Sequence, residues 1–159
     1  SWEKIISGGP GANFGWPYFE GGNDGVLIPA PVYRDFPSAA EFYAAVANGS
    51  VVITPALEAF SHDSAAPGYQ IQAITGGSAI LEGGAFPDSL QDSYLFSDFT
   101  SNRIFAINLN DSSVNYLFSS SSGPTAPIDY VVGPDGNAYY VDLVTNQIGR
   151  LDIVQVTSG

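Results

Sequence analysis

Two aspartates, Asp98 and Asp142, stand 44 residues apart, and each is followed four residues later by an asparagine, Asn102 or Asn146. Carboxylate and amide oxygens grouped in this way are ligands that Ca²⁺ accepts. The same spacing caps a hairpin, because an aspartate at the head of a turn bonds the backbone N–H groups that follow it. Both chemistries are open to the pair. Arg103, directly after Asn102, is a rare cation beside the turn, placed to contact a ligand or to pair with Asp98. His62 is the single imidazole, suited to proton transfer, to metal ligation or to a structural hydrogen bond. Trp16, with Phe14, Tyr18 and Phe19 close by in sequence, offers aromatic faces for the apolar side of a sugar ring, or for packing between sheets.

The elements that must position these residues follow from the surroundings of the two aspartates. Tyr94-Leu-Phe-Ser-Asp98-Phe-Thr-Ser-Asn102-Arg-Ile104 and Ala138-Tyr-Tyr-Val-Asp142-Leu-Val-Thr-Asn146-Gln-Ile148 are two copies of one pattern. A repeat of roughly 40 to 50 residues in short β-rich runs separated by Gly, Pro, Asn and Asp is the signature of a propeller blade. The expected fold is all-β: a partial β-propeller of about three four-stranded antiparallel blades, with one short inserted helix. Strands are expected at Trp2–Ile6, Val51–Thr54, Ile71–Ile74, Ser78–Glu82, Ser93–Asp98, Arg103–Leu109, Asn115–Ser119, Ile128–Gly133, Ala138–Asp142 and Gly149–Ile153. Blade repeats then cover about 71–118 and 119–159, within one domain spanning 1–159.

Ser38 to Asn48 has a different character. Ser38 is placed as an N-cap with Glu41 completing a capping box, alanines fill the interior, and Gly49 supplies a stop. Gly133-Pro134-Asp135-Gly136-Asn137 reads as a hairpin turn with positive φ at Gly136. Ser119 to Pro124 reads as a polar crossing between blades.

Sixteen acidic residues against four basic ones give a net charge of −12, which disfavours phosphate backbones and anionic lipid, so neither nucleic acid nor membrane insertion is expected. There is no Cys, which excludes disulfides and thiolate chemistry. There is no Met either, so the chain is expected to be a piece of a longer protein, with any export signal upstream. At roughly 45 residues per blade the chain holds three blades, whereas closed propellers need four to eight. Completion by missing blades or by another copy of the chain is therefore expected.

Trp2-Glu3, Gly11-Ala-Asn13-Phe14-Gly15-Trp16-Pro17, Phe60-Ser-His62, Ile74-Thr75-Gly76-Gly77, Phe86-Pro87, Tyr94-Leu-Phe96-Ser-Asp98 and Gly133-Pro134-Asp135-Gly136 occur in this order. The series resembles the glucose/sorbosone dehydrogenases that depend on pyrroloquinoline quinone (PQQ), and also the propeller of Hedgehog-interacting proteins. The resemblance spans nearly the whole chain apart from the helical insertion. It implies the C-terminal portion of a six-bladed ring, an extracellular or periplasmic setting, oxidation of sugars in active members, and PQQ with calcium as cofactors.

The resemblance further implies that the catalytic His lies in N-terminal blades without a counterpart here. It aligns Thr100 with a quinone-binding Lys, and Ala126 and Ile128 with two Arg. PQQ carries three carboxylates, for which cations are the expected partners. Arg103 and Thr100 are thus the candidate cofactor contacts, Trp16, Tyr18 and His62 the candidate substrate contacts, and Asp98 and Asp142 the candidate metal ligands. The resulting expectation is a quinoprotein-like propeller portion inactive alone, the alternative being a non-catalytic extracellular binding or adhesion module.

Overall fold

A computed structural model of the chain describes residues 1–21, 26–65, 68–83, 85–119 and 126–152. The fold is all-β with one short α-helix, its strands gathered into several small antiparallel sheets. The chain divides into two compact units, Ser1–Gln72 and Ala73–Gly159.

In the first unit, β1 (Trp2–Ile5) pairs antiparallel with β4 (Glu58–Ser61), from Trp2 opposite Ser61 to Ile5 opposite Glu58. A second pair joins β2 (Phe19–Glu20) to β3 (Ile28–Pro29). The strand expected at Val51–Thr54 is absent; Thr54 makes a backbone bond to Asn13, and the partner of β1 is the Glu58–Ser61 segment just beyond Pro55. Helix α1 covers Pro37–Ala47, its N-cap two residues earlier than expected, at Phe36 instead of Ser38, with Pro37 in the first turn.

The capping box does not form. Proline's fixed φ and missing N–H suit the first helical position, and this moves Ser38 inside the helix, where its hydroxyl meets Tyr18 Oη at 2.7 Å. The helix ends as expected at Gly49, with φ of +78°. Its Phe42 and Tyr43 rings pack against Tyr18 and Phe19.

The second unit holds a four-stranded sheet, β5 (Ile74–Leu81), β6 (Ser93–Asp98), β7 (Arg103–Asn108) and β8 (Val114–Ser119), in sequential order. It is followed by a sheet of three described strands, β9 (Pro127–Val132), β10 (Ala138–Asp142) and β11 (Gln147–Leu151). Gly136 has the positive φ expected of the β9–β10 turn, at +77°. The Ser119–Pro124 crossing falls largely outside the described residues.

Of the strands expected at Ile71–Ile74 and Ser78–Glu82, the first does not form over Ile71–Ala73, and from Ile74 a single strand, β5, runs to Leu81. Gly76-Gly77 does not interrupt it but lies at a bulge, where the pairing moves from Gly76–Phe96 to Ile80–Tyr94. The glycines serve close packing: a methyl on Gly77 would run into the backbone of Tyr130 on β9 and the Asp129 carboxylate. The hydroxyls of Thr75 and Ser97 both donate to the Pro127 carbonyl, at 2.8 and 2.7 Å.

The apolar core of this unit draws on both sheets, with Leu81, Leu95, Ile104 and Ala106 from the first and Tyr130 and Ala138 from the second. Alternation along β6 and β7 sends Phe96 and Phe105 to the opposite face, where they stack at 5.2 Å and are likewise buried. Burial on both faces explains why these central strands read as near-continuous apolar runs.

Candidate functional site

Asp98 and Asp142 end β6 and β10, and both are buried. The four-residue turns that follow close on Asn102 and Asn146, which adopt left-handed backbone at φ of 56° and 55°. Asparagine tolerates that region better than most side chains.

Each carboxylate holds two things together. Asp98 Oδ1 accepts from Thr100 N at 3.4 Å and Thr100 Oγ1 at 3.0 Å within its turn, and from Ala73 N at 3.0 Å just before β5. Asp142 Oδ1 accepts from Val144 N at 2.9 Å, Thr145 N at 3.0 Å and Ala126 N at 3.3 Å, just before β9. The backbone returns the bond in both cases, Phe99 N to Ala73 O at 2.8 Å and Leu143 N to Ala126 O at 3.0 Å. The 44-residue repeat therefore encodes a clamp that fastens the second hairpin of each sheet to the lead-in of its first strand.

Burial works to raise the Asp142 pKa, but the N–H donors of Thr145, Ala126 and Val144 outweigh it and hold the carboxyl below the usual range. Near the same sheets the Tyr130 hydroxyl is enclosed, and burial, against a smaller downward pull from Ser97, pushes its pKa well up. Among the described residues no group of three or more His, Asp or Glu side chains converges where a metal ion could sit.

Thr100 and Arg103 flank the first clamp. The Thr100 hydroxyl is committed to the Asp98 carboxylate, contacting Oδ1 at 3.0 Å and Oδ2 at 3.1 Å. Arg103 faces Asp98 across the β6–β7 ladder with its side chain exposed.

Trp16, Tyr18 and His62 all belong to the first unit and do different things. Trp16 is 64% exposed and meets Tyr33 edge-on at 5.5 Å; Tyr33 in turn meets Phe36 at 5.5 Å, and Phe36 is also exposed. Tyr18 is turned to the helix, and Phe19 is buried. His62 follows β4 and places Nε2 3.2 Å from Glu3 Oε1, while its backbone N–H donates to Ser1 O. The structure thus brings Trp16 together with Tyr33 and Phe36, not with Tyr18.

No protein-family model, curated protein or solved structure matches the chain.

Proposed function

We propose that the chain is a carbohydrate-binding, non-catalytic portion of a six-bladed β-propeller related to the quinoprotein sugar dehydrogenases, exported from the cell and completed by further blades or by another copy of the chain. The propeller reading is supported by two consecutive sheets that carry the same aspartate clamp and meet closely where β9 lies over Gly77. The binding role rests on one observation above the others, the aromatic run Trp16–Tyr33–Phe36, exposed at Trp16 and Phe36 with the half-buried Tyr33 between them. A sugar ring presents an apolar face that such aromatics cover, and neutral hydroxyls tolerate an acidic surface.

The residues aligned with the family's quinone contacts do not fit a tricarboxylate. Thr100 is spent on Asp98, Ala126 and Ile128 carry no charge, and the buried Asp98 carboxylate would repel an anion drawn toward the turn. Arg103 is the one cation at this place in the sequence. The ordered family motifs favour a second reading, in which the complete protein is a PQQ-dependent, calcium-requiring dehydrogenase.

Titration of the chain with soluble oligosaccharides, followed by calorimetry, tests the first reading: binding is expected, and loss of at least about tenfold in affinity for Trp16→Ala. Binding unchanged in that variant, or none in the parent, overturns it. Dye reduction by the full-length parent with PQQ, Ca²⁺ and aldoses would establish the second.

A further inference from the structure

Val141 on β10 and Ile148 on β11 stand opposite each other in the ladder, on the side of the second sheet turned away from the core. Both are exposed, Ile148 to 76%, and Val131 on β9 is exposed on the same side. Leu143 and Val144 carry the exposed apolar stretch into the turn before β11. The residues 44 positions earlier, Ser97 and Ile104, form the same cross-strand pair in the first sheet, and there both are buried, Ile104 to 1% exposure. The second sheet covers them: Ile104 shares a core with Tyr130 and Ala138, and Ser97 donates to the Pro127 carbonyl. The repeat therefore leaves open on the second sheet a face that its counterpart on the first keeps out of water.

The chemistry of this face selects its partner. In a chain of net charge −12, the one charged residue between Ala138 and Gly149 is Asp142, which is buried. Polar groups at the border are already paired within the chain, Arg150 with Asp152 at 2.8 Å and the Tyr139 hydroxyl with Asp135 at 2.8 Å. An apolar, uncharged centre inside a satisfied polar border is the make-up of a protein interface. A basic partner would find no exposed carboxylate at its centre to hold, and the acidity of the chain does not oppose a second copy there. The inner face of the second sheet and both faces of the first are buried, so the sheet surface a second copy can offer from this unit is the same face. Two such faces meet through a two-fold axis.

We propose that two copies of the chain associate through this face, the Val131–Val141–Ile148 side of one second sheet packed on that of the other. The pairing rests on the reading that another copy completes the chain, and it is independent of the sugar-binding surface.

The test is sedimentation equilibrium of the full chain over a concentration series, which is expected to show a dimer. Each residue enters a two-fold interface twice, so Ile148→Lys and Val141→Lys are each expected to raise the dissociation constant at least about a hundredfold, with circular dichroism spectra unchanged. Both substitutions reduce the net negative charge, so repulsion between copies cannot account for the loss. Val52→Lys makes the same change of charge at an equally exposed position of the first unit and should leave the dimer intact. A chain that stays monomeric at every concentration overturns the proposal. So does a dimer that survives both Ile148→Lys and Val141→Lys, or one that Val52→Lys weakens as much. None of these outcomes bears on the Trp16 titration, which tests the sugar-binding reading by itself.

Discussion

Removing the Asp142 carboxylate is the sharpest test of the repeated clamp. Asp142→Ala takes one acceptor away from three N–H groups. The Ala126 bond is buried, and an unpaired buried donor costs about 1–3 kcal/mol. The Val144 and Thr145 bonds lie partly open to water, so their loss costs about 1 kcal/mol each. The sum is about 3–5 kcal/mol. Asp142→Asn keeps a carbonyl oxygen and loses only the charge assistance, for about 1–2 kcal/mol.

Trp2 and Trp16 both lie in the first unit, so tryptophan fluorescence would report on the wrong half. The assay is amide hydrogen exchange by mass spectrometry over residues 126–151, combined with denaturant titration by circular dichroism. The sign of the pH dependence follows from the depressed folded-state pKa of Asp142. Its contribution is full above the unfolded value of about 3.9 and is lost as pH falls through the lower folded value. The Asn variant should therefore show a shallower acid limb than the parent. The reasoning fails if Asp142→Ala costs less than about 1 kcal/mol, or if Ca²⁺ raises the melting temperature of the parent but not of the Asn variant, which would make the carboxylate a metal ligand.

Other substitutions probe neighbouring claims. Gly77→Ala should cost about 3 kcal/mol or more because its methyl meets Tyr130 backbone, whereas Gly9→Ala, with open space around it, should be near neutral by the same denaturant titration. Ser38→Ala should cost only about 0.5 kcal/mol, the worth of one exposed bond to Tyr18; a loss of about 1–2 kcal/mol would mean that Ser38 caps the helix after all. Asp135, held down to about 2 chiefly by the Asn137 side chain and next by the Tyr139 hydroxyl, should rise further by NMR titration in Asn137→Ala than in Tyr139→Phe.

β6 and β10 end where sequence reading placed them, because the aspartate that stops each strand is the repeated residue itself. The turn chemistry at Asn102, Asn146 and Gly136 was legible for the same reason: positive φ leaves a compositional mark. Gly76-Gly77 misled, since glycine marks a break and a close approach alike, and only the three-dimensional partner, Tyr130, distinguishes them. Val51–Thr54 carries strong β propensity yet forms no strand, while Glu58–Ser61, less regular in sequence, does. Partner availability decides such cases, and it is a long-range property. Tyr33 and Phe36 escaped notice because their relation to Trp16 runs across 17 and 20 positions with no periodicity to announce it.

The two clamps span chain segments of unequal length, 25 residues from Ala73 to Asp98 and 16 from Ala126 to Asp142, yet form the same reciprocal bonds. Most of the surplus falls in the connection between the first two strands of the sheet, β5 to β6 against β9 to β10, and the rest in longer strands. Closing the longer segment costs only about 0.4 kcal/mol more, because closure entropy grows with the logarithm of length. Strand placement and loop length are thereby uncoupled. The β5–β6 connection uses its extra length to send Phe86 and Leu90 into the apolar core, so one clamp serves sheets whose first connections do different work.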